Sequence, residues 1–200
     1  FNTSMTGYQE IITDPSYKKQ IITFTHPHIG NTGINDEDNE SNIIHASGIV
    51  VKNYFAKPSN WRSKISLDDF LIKNQIIGIS EVDTREITTL LREKGAMNCC
   101  IASLSIISEK EAVSVAKEFD GLKGMDLAKA VSTESEYEWN IGIWPNNKQS
   151  DESYSVIAYD YGIKENILRL LTEHVGKVKV VNAKTPFKEI IKLNPKGIFL

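Results

Sequence analysis

Few side chains in this 200-residue sequence have types and spacings that could support chemistry. Its two cysteines, Cys99 and Cys100, are adjacent, and a nucleophilic cysteine needs a nearby histidine or helix N-terminus to lower the pKa of its thiol. The string NCCIASLS predicts a strand over residues 98–105, in which alternation puts the two thiols on opposite faces. At least one of them is then expected in a core, so we interpret the pair as structural rather than catalytic.

Three further patterns could bind an ion, and each has a structural interpretation that is better supported. His26 and His28 flank Pro27 without a carboxylate at helical spacing, so HPHIGNTG favours a turn over a metal site. The acidic run 35–40 lacks the glycine and terminal glutamate of a calcium loop and favours a solvated loop. The string AYDYGIKENI could hold an anion at a helix N-terminus, but Gly162 is its only glycine, which favours a plain chain reversal.

Composition and charge limit the class of protein. The chain has 23 Lys and Arg against 26 Asp and Glu, with 40% hydrophobic residues, which is typical of a globular protein. It has no basic stripe with interleaved aromatic residues, which argues against a nucleic-acid partner. It also lacks an apolar run of about eighteen residues and the features of a signal peptide, which argues against a membrane. Two adjacent thiols indicate a reducing compartment, so we expect a cytoplasmic location.

The elements that must position any site alternate between strands and helices in the first part of the chain. Strands are predicted at β-branched runs, over residues 20–25, 42–51, 75–80 and 98–105. Helix starts are predicted at three capping pairs, Ser66 with Asp69, Asp83 with Glu86, and Ser108 with Glu111. Together these patterns predict a mixed α/β domain over residues 1–132.

Residues 133–153 are rich in Ser, Glu, Asn and Asp, and Pro145 interrupts any period, so this stretch is predicted to be a linker. Two tryptophans are unusual in a free linker. We expect Trp139 and Trp144 to pin it to a flanking domain.

After the linker, residues 154–200 predict the order β-α-β-α-β, which opens a doubly wound parallel sheet. Thr185 and Pro186 suit the cap and the first position of the second helix. Such a sheet needs helices over both of its faces, and fewer than about fifty residues cannot close a domain of this kind, so we expect this domain to be truncated. Because the chain begins at Phe1 and stops at Leu200 in an apolar run, we also expect it to be a piece of a longer protein.

Several long strings of the sequence occur in the same order in one known family. They are FNTSMTGYQEIITDPSYKKQIITFTHPHIGN, IHASGIVV, SNWR, VDTREITTLLREKGAMNCCI, GMDLAKAVST, IAYDYGIKENILR and NPKGIFL. Over nearly its whole length the chain thereby resembles the small subunit of glutamine-dependent carbamoyl phosphate synthetase. It departs from the family at His26, where an aromatic residue is more usual, and at Cys99, where glycine is more usual.

The resemblance implies an N-terminal domain of the swivelling β/β/α type, joined to a class I glutamine amidotransferase domain of flavodoxin-like topology. In this family a Cys-His-Glu set hydrolyses glutamine, and ammonia passes to a large subunit that makes carbamoyl phosphate for pyrimidine and arginine synthesis. The large subunit uses ATP, Mg²⁺ and bicarbonate, so no cofactor or metal is expected on this chain. The implied partners are L-glutamine and the large synthetase subunit, in a heterodimer or a higher oligomer.

The same resemblance assigns one substrate-binding residue and no catalytic residue within the chain. The nucleophile, base and orienting acid are expected beyond Leu200, so residues 1–200 alone are expected to be inactive. The serine of TDPSY, Ser16, resembles the residue that reaches from the N-terminal domain to the bound glutamine, in a turn shaped by Asp14, Pro15 and Tyr17. The structural interpretation of the same residues is an Asp-Pro-Ser turn that only caps a helix.

For the protein as a whole, the alternative to a glutaminase subunit is a non-catalytic module that docks a large synthetase subunit. A glycine-rich loop followed by a cysteine at a strand-to-helix elbow, after Leu200, would favour the enzyme.

Overall fold

The computed structural model describes residues 1–145 and 156–200. Contacts divide the chain into two compact units, Phe1–Met125 and Asp126–Leu200. Both units combine helices with parallel strands, which confirms the α/β class. The division lies after Met125, whereas the sequence predicted that the first domain ends at residue 132. The residues from Asp126 onward make their contacts within the second unit.

In the first unit, short helices alternate with three strands. These elements are α1 (Tyr8–Thr13), a 3-10 turn (Pro15–Tyr17), β1 (Ile21–Thr23), β2 (Gly48–Val50), α2 (Leu67–Lys73), β3 (Ile77–Ile79), α3 (Thr84–Lys94) and α4 (Glu109–Glu118). The strands pair in parallel in the order β1-β2-β3. They are shorter than the runs 20–25, 42–51 and 75–80 that predicted them.

All three predicted helix starts are confirmed. The Ser66 hydroxyl accepts a hydrogen bond from the Asp69 amide, and the Asp83 carboxylate accepts one from Glu86. Ser108 and Glu111 form a reciprocal capping box. These signals act over three residues, so they depend on no distant part of the chain.

The fourth predicted strand, residues 98–105, is wrong. Residues 98–103 are irregular and the chain then turns at residues 104–106. Strand propensity describes how well residues fit a pleated surface beside a partner strand. Here the Asn98 side chain donates instead to the Phe119 carbonyl, and the Ile101 side chain lies against Gly48 of β2.

The core of the first unit forms where α1 and α2 pack against β1, β2 and the loops that follow them. Its buried apolar residues are Tyr8, Ile12, Ile22, Phe24, Ile29, Ile34, Ala46, Ile49, Val51, Leu67 and Leu71. By contrast, every residue of α4 is exposed or half-buried. The well-packed part of this unit is therefore the part that contains α1 and the turn after it.

The second unit is a four-stranded sheet with helices. Its elements are α5 (Leu127–Val131), β4 (Tyr137–Trp139), β5 (Val156–Asp160), α6 (Glu165–Val175), β6 (Val178–Asn182), α7 (Phe187–Lys192) and β7 (Gly197–Phe199). The sheet order is β4-β6-β5-β7, in which β5 pairs in parallel with both β6 and β7. The predicted β-α-β-α-β order is confirmed over β5 to β7.

Both faces of this sheet are covered. Ile157 packs with Ile190 of α7, whereas Ala158 packs with Leu168 of α6. Alternation along β5 thus places consecutive side chains in two different cores, as in a doubly wound sheet. No helix in the described part of the chain is long and apolar enough to cross a bilayer.

Two local predictions in this unit need correction. Within the stretch predicted as a linker, Tyr137–Trp139 forms β4, which pairs antiparallel with β6, and residues 146–155 lie outside the described part. Edge strands tolerate polar residues, so composition alone did not reveal this one. At the start of α7, Pro186 is the N-cap residue and Thr185 precedes it, one position away from the predicted arrangement.

The prediction that Trp139 pins this stretch is consistent with its contacts in the second unit. The Trp139 indole N–H donates to the Ile141 carbonyl at 2.7 Å. The Arg169 guanidinium lies 5.9 Å from the centre of its ring, within the range of a cation-π contact. The contact with Arg169 attaches the segment around β4 to α6, whereas the hydrogen bond to Ile141 stays within the segment.

Candidate functional site

Ser16 lies in a single 3-10 turn that follows directly after α1. Asp14 begins this turn, and its Oδ1 accepts a hydrogen bond from the Ser16 amide at 2.8 Å. Asp14 and Pro15 are buried, whereas Ser16 is exposed. In the described part of the chain, the hydrogen bonds of Ser16 use its backbone N–H and its carbonyl, which accepts from Gln20 Nε2 at 2.9 Å. The capping side chain is therefore Asp14, and the Ser16 hydroxyl stays accessible to a ligand.

Residues 35–41, which we call the acidic loop, pack against the residue that ends α1. Thr13 is 1% exposed, and its Oγ1 accepts a hydrogen bond from the Glu40 amide at 2.9 Å while donating to the Gln9 carbonyl at 2.9 Å. The Thr13 carbonyl accepts from Ser41 Oγ at 2.6 Å. The acidic loop thereby makes hydrogen bonds to both the side-chain hydroxyl and the backbone carbonyl of Thr13.

A second contact joins α1 to the beginning of the acidic loop. The side-chain amide of Gln9 donates through Nε2 to the Asn35 backbone carbonyl at 2.6 Å, and its Oε1 accepts from the Asn35 backbone N–H at 3.0 Å. One side chain thus satisfies both backbone groups of Asn35. The Asn35 side chain in turn accepts from the amides of Glu37 and Asp38, at 2.9 Å each. Asn35 and Glu40 are buried, so the prediction of a solvated loop is wrong for these two residues.

Ion pairs fix the outer side of the acidic loop. Arg62 Nη2 lies 2.7 Å from Asp38 Oδ1 and 3.6 Å from Glu37 Oε2, and Lys64 pairs with Asp36. On the inner side, burial raises the pKa of Glu10 in α1, and the charges of Asp38 and Glu40 raise it further. The loop therefore brings several carboxylates close to one face of α1, with Arg62 opposing their repulsion.

The cysteines do not occupy the positions that were expected. Cys99 is exposed and Cys100 is half-buried, so the expectation that one of them lies in a core is wrong. The strand that should have separated them does not form. Partial burial and the neighbouring Cys100 raise the pKa of the Cys99 thiol, which is opposite to the shift that a nucleophile needs.

The predicted turn in HPHIGNTG forms at residues 30–32, just after the two histidines. Their ring centroids are 5.5 Å apart in an edge-to-face arrangement, and the His28 ring also contacts Phe55 at 5.1 Å. The Gly33 amide donates to the Gly30 carbonyl at 3.2 Å, and both glycines have positive φ angles. Among residues 1–145 and 156–200, no group of three or more His, Cys, Asp or Glu side chains is arranged to hold a metal ion.

The chain reversal after β5 is confirmed, and a side chain of the protein accepts from the amides of the turn that precedes α6. Asp160 ends β5, and its Oδ1 accepts from the Gly162 amide at 2.8 Å and from the Ile163 amide at 2.9 Å. Gly162 has φ 96°, which a residue with a Cβ rarely adopts. A carboxylate of the protein thus satisfies the turn before α6.

A segment around Thr133, which the sequence did not predict, crosses the carboxyl ends of β5 and β6. The Thr133 amide donates to Asp160 Oδ2 at 2.7 Å, and its carbonyl accepts from the Asn182 side chain. Ser132 Oγ accepts from the Ala183 amide at 2.9 Å. A usable signal was present, because Asp160 and Asn182 are the last residues of adjacent parallel strands, where polar side chains converge.

Beside this segment, Tyr137 of β4 is expected to remain a neutral phenol at physiological pH. Partial burial, together with the charges of Asp160 and Glu165, raises its pKa to about 12.

Known proteins match the whole of this chain. The profile described as "Carbamoyl-phosphate synthase small chain, CPSase domain" matches residues 1–101. The carbamoyl phosphate synthase small chain of Pseudomonas syringae pv. tomato is 51% identical over an alignment that includes 100% of this chain and 55% of that protein. The proteins of the same name from Vibrio parahaemolyticus and Photobacterium profundum are each 52% identical. The chain thus spans about 55% of the length of the curated relatives it matches.

Proposed function

Because the chain belongs to the carbamoyl phosphate synthase small-chain family, we propose that it forms part of the glutamine-hydrolysing subunit of a carbamoyl phosphate synthetase. In this proposal the complete protein releases ammonia from L-glutamine in the cytoplasm and passes it to a large synthetase subunit. That subunit uses ATP, Mg²⁺ and bicarbonate to make carbamoyl phosphate for pyrimidine and arginine synthesis. The observation that carries the proposal is the family match over residues 1–101, which includes the turn that contains Ser16.

We assign the two units to different parts of that subunit. The first corresponds to the N-terminal domain of the small chain, of the swivelling β/β/α type. The second corresponds to the start of a class I glutamine amidotransferase domain of flavodoxin-like topology. Its three parallel strands lie side by side in the order β6-β5-β7, so the first of them in sequence is in the middle, and a helix packs on each face of the sheet. A flavodoxin-like sheet begins in the same way.

Neither cysteine of the chain is assigned as the nucleophile in this proposal. The raised pKa of Cys99 does not suit a thiolate nucleophile, and Cys100 is its immediate neighbour. The catalytic Cys-His-Glu set is instead assigned to the part of the relatives' length that this chain does not span.

Ser16 is assigned a direct contact with the glutamine substrate. Its hydroxyl is exposed, while the buried residues Asp14 and Pro15 and the Asp14 cap hold the backbone that carries it. A rigid backbone reduces the entropy lost when a side chain engages a ligand. The turn therefore has the properties of a fixed support for one hydrogen-bonding group.

The test is Ser16→Ala in the full-length protein assembled with its large subunit. A neutral hydrogen bond contributes on the order of 0.5–1.5 kcal/mol, so the KM for glutamine should rise roughly three- to tenfold. Synthesis from free ammonia should be unchanged, because ammonia bypasses the glutamine site. Ser80→Ala, at an exposed serine that follows β3, is the matched control.

Steady-state kinetics with each nitrogen donor separates a ligand role from a structural one. A contact made equally in the ground and transition states changes mainly KM. An unchanged KM for glutamine, or an equal loss with glutamine and ammonia, would overturn the assignment of Ser16.

One observation favours the alternative of a docking module without catalysis. Leu104 and Ile106, just before α4, are 71% and 78% exposed, and Val113 and Val115 of the helix are also exposed. Several exposed apolar residues within one stretch of the chain, residues 104–115, favour an interface. If docking were the whole function, the full-length protein with its large subunit would release no ammonia from glutamine.

A further inference from the structure

The position of Ser16 depends on contacts of two different ranges. The Asp14 cap and the Gln20 contact connect residues two and four positions from Ser16. Such contacts fix the shape of the turn. They do not fix where the turn lies relative to the rest of the first unit.

Long-range contacts fix that place at each end of the turn. After Ser16, the Tyr17 hydroxyl accepts from the Asn2 side chain at 3.0 Å. Before it, Thr13 contacts the acidic loop through Glu40 and Ser41, which are 27 and 28 residues away in sequence. Apolar packing of α1 also contributes, but it is non-directional, whereas these hydrogen bonds specify the position of the last helical residue.

We propose that the acidic loop is a positioning element for the glutamine contact, and that it acts through Thr13. The inference rests on the proposed role of Ser16. Thr13 is almost fully buried and does not touch the substrate, so it is a positioning residue. By holding the end of α1, the loop keeps the Ser16 hydroxyl at the distance and angle that a hydrogen bond to glutamine requires. A displacement of about an ångström is enough to weaken such a bond severely.

The first variant is Thr13→Val in the full-length protein assembled with its large subunit. It keeps the shape of the side chain but removes the acceptor for Glu40. The KM for glutamine is expected to rise about three- to tenfold, no further than in Ser16→Ala, while kcat with ammonia stays unchanged. Thr13→Ser, which restores the hydroxyl, should recover the wild-type KM.

A second variant removes the contact from the other side. Ser41→Ala keeps Thr13 intact and deletes the hydroxyl that lies 2.6 Å from the Thr13 carbonyl and 2.7 Å from the Ile43 carbonyl, which share its one proton. Because Ser41 is only half-buried, this variant should fold even if Thr13→Val does not, and it then decides the question alone. For Thr13→Val the matched control is Thr89→Val in α3. Like the Thr13 hydroxyl, the Thr89 hydroxyl donates to the carbonyl four residues earlier, but it does not contact the acidic loop.

A double variant tests whether Thr13 acts through Ser16. If it does, Thr13→Val combined with Ser16→Ala should have the same glutamine KM as Ser16→Ala alone. Multiplication of the two effects would overturn the inference, because it would mean that Thr13 acts independently. An equal loss with glutamine and ammonia would also overturn it, by showing that the loop only supports folding.

The outcomes distinguish this inference from the function on which it rests. If Ser16→Ala leaves the KM for glutamine unchanged, the substrate contact is wrong and the positioning role fails with it. If Ser16→Ala raises that KM but both Thr13→Val and Ser41→Ala leave it unchanged, only the positioning role is wrong.

Discussion

Glu10 shows how the acidic loop affects stability through single residues. Burial raises its pKa, and the nearby charges of Asp38 and Glu40 act in the same direction. A raised pKa means that the folded state disfavours the charged carboxylate. The stability contributed by protonated Glu10 is therefore fully present below the ordinary range of glutamic acid and is lost as the pH rises through the raised pKa.

Glu10→Gln should consequently stabilise the first unit at pH 7, because the variant has no charge to bury. The gain should shrink as the pH falls and disappear below the ordinary pKa of glutamic acid, where Glu10 is protonated in both states. Denaturant unfolding at pH 7 and at pH 4, followed through the NMR resonances of β1 and β2, measures this difference in the free energy of unfolding. Glu93→Gln, at an exposed carboxylate of α3, is the control. A variant less stable than the wild type at pH 7 would contradict the prediction.

At the residue scale, the family resemblance suggested Ser16 as a candidate substrate contact but did not suggest the residues that hold it. Asp14, Pro15 and Ser16 are consecutive, so a motif reveals them together. Thr13 and the acidic loop meet only because the chain returns after 27 residues, and no local pattern encodes that distance. The buried state of Asn35 was missed for the same reason.

At the scale of elements, Asp160 joins three parts of the second unit. Its carboxylate accepts hydrogen bonds from the turn before α6 and from Thr133, and it ends the strand β5. Asp160→Ala would leave three N–H groups without their acceptor. Hydrogen bonds to charged groups contribute about 1.5–3 kcal/mol each, and such effects are not additive, so we expect a loss of about 2–4 kcal/mol.

Hydrogen exchange of the β5, β6 and α6 amides measures this loss. Asp160→Asn retains one oxygen acceptor and should fall between the wild type and Asp160→Ala. Asp120→Ala, at an exposed carboxylate of the first unit, should leave these amides unaffected. If Asp160→Ala exchanged at the wild-type rate, the carboxylate would not be holding these elements together.

The elements differ in how well the sequence predicted them, and the difference follows from the range of the interactions. Ser108 and Glu111 cap α4 across three residues, and that helix start was predicted. The predicted types of two segments were wrong. Residues 98–105 were predicted as a strand, and Tyr137–Trp139 was predicted as part of a linker. Whether a segment becomes a strand depends on a partner elsewhere in the chain, which its own composition does not specify.

At the scale of the molecule, residues 1–200 produced alone should release no ammonia from glutamine. The proposed catalytic set is assigned to the part of the relatives that this chain does not span, and Cys99 lacks the lowered pKa of a nucleophile. An ammonia assay of this fragment beside the full-length protein measures the difference. Release above the buffer blank that disappears in Cys99→Ser or Cys100→Ser would contradict the prediction.

The α/β class and the presence of two units were accessible from the sequence, because hydrophobic patterns and turn residues recur along the chain. The position of the division was not. Asp126–Leu200 gathers β4 and the segment around Thr133 by contacts that span tens of residues, so a shift in composition marked a different place.

The pairing of β4 with β6 also sets an order of events during synthesis. Trp139 pairs with Val178, which is added 39 residues later. At about 5–20 residues per second, a ribosome needs roughly 2–8 s to add those residues. During that interval β4 has been made but the strand beside it has not, so its aromatic side chains remain available to chaperones. β4 can therefore join the sheet only after β6 has been translated.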